Sequence, residues 1–229
     1  MKPLLFSILF LSVLCCSSCN NQEKPTPKAI LFEDYFIRYL SPEQQIKAQA
    51  IFAEGDTITH TQAKTFLGGV SFQGSGMSER KISSQLIRFE ETRKMDYTNS
   101  FSFRYKNEEG NDATHVINMS PIEDFFLKSS VSKTNGLDIV VKGGILSKQE
   151  SLVFLFSDKE NIAASIELKG PTNTIEFHLP PTQFSKLSIG KGKLYLVKKQ
   201  STLEKTGNRD IHAEIEYYTK DIEIEIVDL

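Results

Sequence analysis

The sequence has 229 residues, with 27 lysines and arginines against 29 aspartates and glutamates, so its formal net charge is −2 at pH 7. This near-neutral balance provides no basic surface for a nucleic acid, and we expect no nucleic-acid partner. Hydrophobic residues make up 39% of the chain, which is ordinary for a folded protein and enough for a sizeable core.

The first residues have the layout of a secretory signal. Lys2 supplies a positive charge, residues 4–14 are apolar apart from two serines, and small residues follow at positions 17 and 18. The apolar run has about half of the ~20 residues that a transmembrane helix needs, so a cleaved signal is favoured over a membrane span. We therefore predict a signal peptide over residues 1–18.

All three cysteines of the chain, Cys15, Cys16 and Cys19, lie in this region. The run Cys16-Ser17-Ser18-Cys19 resembles the lipobox of bacterial lipoproteins, although Cys16 stands where that family usually has leucine. The resemblance implies cleavage before Cys19 by a dedicated signal peptidase and attachment of acyl chains, such as palmitate, to Cys19. An ordinary cleaved signal and structural cysteines in an uncleaved segment are the alternatives. Two or three acyl chains would anchor the protein stably, which makes the membrane its first expected partner.

The residues after Cys19 favour a tether. Residues 20–29 are polar and contain Pro25 and Pro27, so we interpret 19–29 as the lipidated cysteine followed by a short extended linker. After cleavage, Cys19 would be the only cysteine, which leaves no disulfide and no cysteine nucleophile. Asn20 is not the aspartate that retains some lipoproteins at the inner membrane. The resemblance thus implies an outer-membrane lipoprotein that faces the periplasm or the cell exterior.

From Ile30 onward, apolar and polar residues alternate in many short runs, which is typical of strands with one buried face. Phe101, Phe103 and Tyr105 share one face, and the turn residues around Gly110 then lead into a second alternating run at 114–119, which predicts a hairpin. Further strand-length runs lie at 137–143, 151–158, 161–170, 173–179 and 192–200.

Three local patterns lead to separate predictions. Residues 41–50 begin with helix-capping residues but continue with strand alternation, which favours a short turn and then a strand. Residues 62–66 fit one turn of helix. Residues 211–229 alternate throughout but change phase after Tyr217, so we expect one long strand with a bulge near Thr219.

The spacing of these runs predicts an all-β fold with two small antiparallel β-sandwich domains. Ser120-Pro121 is the expected joint, because proline interrupts strand pairing, and it divides the chain into domains over 30–120 and 121–229. Residues 187–197 resemble the tyrosine-corner region of immunoglobulin-like domains, with Tyr195 as the corner tyrosine and Leu187 as a loop plug. We therefore expect the second domain to be immunoglobulin-like.

No sequence motif supplies a catalytic or metal-binding constellation. The spacing of the histidines (His60, His115, His178 and His212) does not match a metal motif, and the glycine-rich stretch 68–78 lacks a complete nucleophile elbow. Acidic residues that alternate between 214 and 225 favour a solvated strand face. We therefore expect no catalysis, no metal and no cofactor. A hydrolase with dispersed residues stays open if a histidine meets a serine or a carboxylate in a pocket.

Two features favour binding. The polar stretch 201–210 joins the last two strands, where immunoglobulin-like domains carry a recognition loop, and it contains the candidate binding residues Lys205, Asn208 and Arg209. Neighbouring aromatics in a strand point to opposite faces, so one ring of each aromatic pair is a candidate for exposure or for burial at the domain joint. These pairs are Tyr35-Phe36, Phe125-Phe126 and Tyr217-Tyr218.

In general character the chain resembles the small β-rich lipoproteins of gram-negative cell envelopes. We therefore predict a lipid-anchored envelope protein with a structural, adaptor or protein-binding role, whose partner is another envelope protein. The alternative is an accessory glycan-binding lipoprotein that uses exposed tyrosine or phenylalanine rings and the 201–210 stretch. The absence of tryptophan weakens that alternative.

Overall fold

The computed structural model describes residues 29–228, and this part of the chain is all-β. The predicted fold class is thus confirmed as an all-β protein in which sheets pack as sandwich-like layers. The strands of the first half are β1 (Ile30–Leu40), β2 (Gln45–Thr57), β3 (His60–Ala63), β4 (Val70–Phe72), β5 (Ser75–Gly76), β6 (Ser78–Ser83), β7 (Leu86–Lys94), β8 (Ser100–Lys106) and β9 (Asp112–Asn118).

The second half contributes nine more strands, and the 3-10 turn Pro181–Phe184 is the one helical segment of residues 29–228. These strands are β10 (Asp124–Leu127), β11 (Val131–Ser132), β12 (Leu137–Lys142), β13 (Glu150–Asp158), β14 (Ala163–Lys169), β15 (Glu176–Leu179), β16 (Gly190–Thr206), β17 (Arg209–Tyr218) and β18 (Ile222–Val227).

The first sandwich is built on one part of an 11-stranded sheet, in the order β16–β17–β1–β2–β7–β6. β1 runs parallel to β17 and antiparallel to β2. A four-stranded sheet, β5–β4–β8–β9, covers the inner face of this part. The ring centroid of Tyr35 on β1 lies 4.7 Å from that of Phe103 on β8, and Phe52 on β2 lies 5.0 Å from Tyr105. Aromatic side chains from both sheets therefore meet in the space between the two layers.

The second sandwich uses the other part of the same large sheet. There β16 pairs with β13 and β18, β14 extends the sheet beyond β13, and β11 extends it beyond β18. The three-stranded sheet β10–β12–β15 packs against it, with the rings of Phe154 and Phe177 6.2 Å apart. The 17-residue strand β16 belongs to both sandwiches, so it connects them through continuous backbone.

Strand alternation explains which side chains enter the core. On β1, odd-numbered residues such as Tyr35, Ile37 and Tyr39 are buried, whereas Asp34 is exposed and Phe36 is half-buried. The members of the other predicted aromatic pairs also differ in exposure, and Phe126 is 46% exposed rather than buried at a joint. The outer face of β1 thus combines apolar and polar side chains, which matters for the site below.

The predicted kink near Thr219 is confirmed. β17 and β18 both pair antiparallel with β16, but the register shifts by one residue between Tyr218 and Ile222. Thr219 fills the gap, since its N–H donates to Leu196 O (3.0 Å) and its Oγ1 accepts from Leu196 N–H (2.9 Å). The extra residue acts as a β-bulge and redirects the chain from the first sandwich into the second. The run is thus two strands, β17 and β18, and the prediction of one long strand is wrong.

Other local predictions have mixed outcomes. The hairpin of β8 and β9 around Gly110 and the turn at 41–44 before β2 are confirmed. The prediction of a helical turn at 62–66 is wrong, because Gln62 belongs to β3 and residues 64–66 form no helix. The stretch 201–210 is a β-hairpin with a turn at Gly207 and Asn208, because β16 continues to Thr206.

Strand pairing crosses the predicted joint at Ser120-Pro121, because β17 of the second half pairs with β1 of the first. The division into domains over 30–120 and 121–229 stays a prediction, as does the immunoglobulin-like character of the second. Leu187 is buried, and the ring of Tyr195 stacks 6.4 Å from Tyr218.

Candidate functional site

A groove of about 1010 Å³ lies on the outer face of the first sandwich, where β1 begins. β1 runs between β17 and β2, and the ends of the β16–β17 and β2–β3 hairpins flank it. The accessible apolar side chains of the lining are those of Ile30, Phe32, Ile51, Ala53, Ile58 and Leu203, and the buried Ile211 also lines it. An apolar concave surface with a few polar groups at its margin is the usual form of a binding site.

The strand register explains why these residues meet. Phe32 lies opposite Ala53 across the β1–β2 pair, and Asp34 lies opposite Ile51. On the other side of β1, Asp34 is level with His212 of β17. Because alternate residues of a strand share a face, β1 presents Phe32 and Asp34 together on the outside. Four neighbouring strands thus contribute to one continuous surface.

Two residues at the flanks of the groove are unusually exposed for their type. Leu203 on β16 is 83% exposed and Ile58 at the β2–β3 turn is 74% exposed. Single exposed apolar residues are common, but these two line the same groove with four other accessible apolar residues. A contiguous apolar surface of this kind marks an interaction site.

The polar margin of the groove contains a chain of three side chains from three adjacent strands. The Nδ1 atom of His212 lies 2.8 Å from Asp34 Oδ1, and its Nε2 atom lies 3.3 Å from Ser201 Oγ. A carboxylate only accepts hydrogen bonds, so Nδ1 is the donor to Asp34. The order Asp34–His212–Ser201 is that of a nucleophilic triad.

The surroundings of this chain differ from those of a catalytic triad. The side chains of His212 and Asp34 are 40% and 52% exposed, whereas the orienting acid of a triad is buried. The N–H of Ser201 donates to Gln149 O at 3.1 Å, so it is not available to stabilise an oxyanion at that serine. We therefore interpret the three side chains as a hydrogen-bonded surface network that orients His212 at the groove, and not as a centre for acyl transfer.

Beneath the groove, a buried ion pair joins β1 to β17. Glu33 is only 2% exposed, and its two carboxylate oxygens accept from Nε and Nη2 of Arg209, the second at 2.8 Å. Tyr35 and Tyr105 also donate their hydroxyls to Glu33, at 2.5 and 2.9 Å. Four hydrogen-bond donors therefore offset the desolvation of the buried Glu33 carboxylate. A buried charge is stable only when it is paired and hydrogen-bonded in this way.

The pKa values of the tyrosine hydroxyls and of Arg209 are raised in this cluster. Burial raises the pKa of the Tyr35 hydroxyl well above its usual value, and the charge of Glu33 raises it further. Hydrogen bonding to Glu33 raises the pKa of Arg209. Around neutral pH both tyrosines are therefore protonated donors and Arg209 is charged.

The three predicted binding residues occupy different positions. Lys205 lines the groove, and its ammonium lies 2.8 Å from Asp210 Oδ2. Asn208 holds the start of β1 through two hydrogen bonds. Its side-chain amide donates to Ala29 O (3.2 Å), and its backbone carbonyl accepts from Leu31 N–H (2.8 Å). Arg209 belongs to the ion pair with Glu33. The structure thus brings one of the three into the groove and places two in the framework that supports it.

Sequence reasoning missed Phe32, Asp34 and His212. The segment ILFEDYF at 30–36 has apolar residues at both even and odd positions. This pattern indicates that both faces of β1 are at least partly buried, and it was the one sequence feature that pointed to the site. The meeting of His212 with Asp34 depends on the parallel pairing of β1 with β17, across 178 positions of sequence. No local spacing reveals such a contact.

Other histidines lie away from this groove or beneath it. His115 is buried and stacks on Tyr35 at 4.8 Å between ring centroids, and burial lowers its pKa. His178 pairs with Asp138 at 2.9 Å on the second sandwich. Among residues 29–228, no group of three histidines, cysteines or acids is close enough to hold a metal ion. The predicted lipidation residue Cys19 lies outside the described residues.

Comparisons with known proteins provide no family: no protein-family model matches the chain, and no curated protein matches it. No helix within residues 29–228 has the length and hydropathy that crossing a membrane requires.

Proposed function

We propose that this protein is a lipid-anchored binding module of a bacterial cell envelope, without catalysis, that holds another envelope protein through the groove on its first sandwich. The observation that carries the proposal is the apolar groove itself, with Leu203 and Ile58 exposed at its flanks. The rigid support below it, built on Glu33 and Arg209, favours a preformed surface over one that is assembled on binding.

The lipid anchor fits the position of the groove. Ile30, the first residue of β1, lines the groove, and the proposed lipidated residue is Cys19. An extended linker spans at most about 3.3–3.6 Å per residue, so the ten residues 20–29 would reach roughly 35 Å. A partner in or near the same membrane would then lie within range of the groove. Outer-membrane placement, with the domains in the periplasm or outside, is part of this proposal.

Site-specific photocrosslinking in cells of the native producer tests the proposal. A benzophenone amino acid replaces Leu203 in one variant and Leu67, which is 96% exposed and does not line the groove, in the matched control. We expect a reproducible protein adduct from position 203 that position 67 does not form. A second substitution, Phe32→Ser, should reduce that adduct. Equal adducts from both positions, or none from position 203, would contradict the proposal.

Glycan binding is the second candidate, and one observation favours it. The rings of Tyr195 and Tyr218 are half-buried and stack with an interplanar angle of 26°, and Arg38 lies 5.3 Å from the ring centroid of Tyr218. Aromatic rings next to hydrogen-bonding side chains are a common surface for sugars. Binding of envelope polysaccharide that is lost in Tyr218→Ala but kept in Leu203→Ser would favour this second site.

A further inference from the structure

We propose that the occupant of the groove is a short extended segment of the partner protein that carries basic and apolar side chains in alternation. This inference rests on the proposed function and adds the chemistry of the partner. Its support is the charge that remains at the groove after the ion pairs within the protein are counted, together with the width and apolar lining of the surface.

The charges at the groove leave an acidic excess. Glu33 is compensated by Arg209, and Asp210 by Lys205. The lining also includes Asp34 and Asp56. Asp34 accepts a hydrogen bond from His212. Glu204 lies opposite Ile211 and therefore points to the inner face of β16, away from the groove.

No ion pair formed within residues 29–228 joins Asp34 or Asp56 to a lysine or an arginine. Two carboxylates therefore border an apolar floor, and the one lysine of the lining, Lys205, is already paired with Asp210. Complementary charge orients and selects a partner, so this margin favours basic side chains.

The same charges argue against other occupants. Phosphate groups of anionic lipids or nucleic acids would be repelled by Asp34 and Asp56. A purely apolar ligand would fill the floor but leave both acids without a cationic partner. A segment with both apolar and basic side chains satisfies both parts of the surface.

The dimensions fit a short extended segment. The groove crosses β16, β17, β1 and β2. Neighbouring strands lie about 4.8 Å apart, so the distance from β16 to β2 is roughly 14 Å. An extended chain rises about 3.3 Å per residue, so four to five residues span this width. Alternate side chains of such a segment point to one face, which allows apolar residues to contact the floor while basic residues reach the margin.

Peptide binding tests the chemistry. The probes are a fluorescein-labelled hexapeptide, Leu-Lys-Val-Lys-Leu-Lys, and a matched peptide with glutamate in place of lysine. The purified full chain is held in nanodiscs of zwitterionic lipid, and empty nanodiscs provide the blank for fluorescence anisotropy. We expect the lysine peptide to bind at least about tenfold more tightly than the glutamate peptide, and its affinity to fall as salt is added.

Substitutions at the groove and matched substitutions elsewhere test whether the lysine peptide binds at the groove. Asp34→Asn and Asp56→Asn should each weaken binding of the lysine peptide about threefold, whereas Glu79→Gln, on exposed β6, should leave it unchanged. Leu203→Ser should weaken it, and Leu67→Ser should not. These substitutions are on the surface, so the fold is expected to persist in all of them.

The failures of the two proposals are distinguishable. Equal binding of both peptides, tighter binding of the glutamate peptide, or no binding of either would overturn the present inference. The proposed function would still stand if the adduct from position 203 formed and mapped to an acidic or uncharged segment. Absence of that adduct would instead contradict the proposed function. Lysine-peptide binding that Glu79→Gln and Asp56→Asn weaken equally would also overturn the inference, since it would show non-specific attraction.

Discussion

At the scale of single residues, the site depends on a few side chains that the sequence does not single out. Arg209 was a candidate for binding because it lies in a polar stretch between two strands. The structure gives it a different position, because Glu33 on β1 is buried and needs a cation. Buried acids are uncommon in strands, and a glutamate at an inward-facing position of an alternating run is the signal that a partner must exist.

We predict that Arg209→Met lowers the free energy of unfolding by about 3 kcal/mol, because it leaves the carboxylate of Glu33 buried with two tyrosine hydroxyls as its remaining donors. Urea unfolding of the purified protein measures this. Lys205→Met is the control, and its exposed pair with Asp210 should contribute less than about 1 kcal/mol. The double variant Glu33→Gln with Arg209→Met should recover part of the loss. Equal losses in Arg209→Met and Lys205→Met would refute the assignment.

At the scale of elements, alternation predicted most strands because it directly reflects burial of one face. The hairpin around Gly110 and the strand after the turn at 41–44 followed from local patterns. The stretch 201–210 was harder, because its polar residues suggest a loop, yet β16 continues through them. That part of β16 has β17 on one side only and its side chains are largely exposed, so hydrophobic periodicity is absent there. Residues 201–206 of β16 form a strand because they pair with β17, and not because one face is buried.

The bulge at Thr219 is an element that the sequence did predict, and it can be tested. Thr219→Val keeps the β-branched shape but removes the acceptor for the N–H of Leu196. We expect a loss of about 1 kcal/mol in the free energy of unfolding, because a buried donor loses its partner. Thr202→Val, on the neighbouring strand, is the control and should change stability by less than about 0.5 kcal/mol. An unchanged stability in Thr219→Val would show that the hydroxyl does not hold the bulge.

At the scale of the whole molecule, the two sandwiches share strands, which sequence reasoning did not anticipate. Pairing of β1 with β17 is between residues far apart in the chain, and loop positions alone do not specify such a register. The shared region also contains Lys198, which is 2% exposed and lies 3.3 Å from Glu150. The groove forms only because a strand from the second half completes the outer face of the first sandwich. This is why its residues could not be assembled from local motifs.

The same topology places Ile30, the first residue of β1, at the groove. We predict that Cys19→Ala abolishes acylation and either releases the protein from membranes or stalls it as an unprocessed precursor. Membrane fractionation followed by intact-mass analysis measures both results, because an acylated chain is heavier than the cleaved one. Cys15→Ala is the control and should leave processing and membrane association intact. A processed Cys19→Ala chain that still fractionates with membranes would refute the lipoprotein assignment. If that variant is instead released and still binds the lysine peptide, the groove acts independently of the anchor, and the lipid determines only where the partner is held.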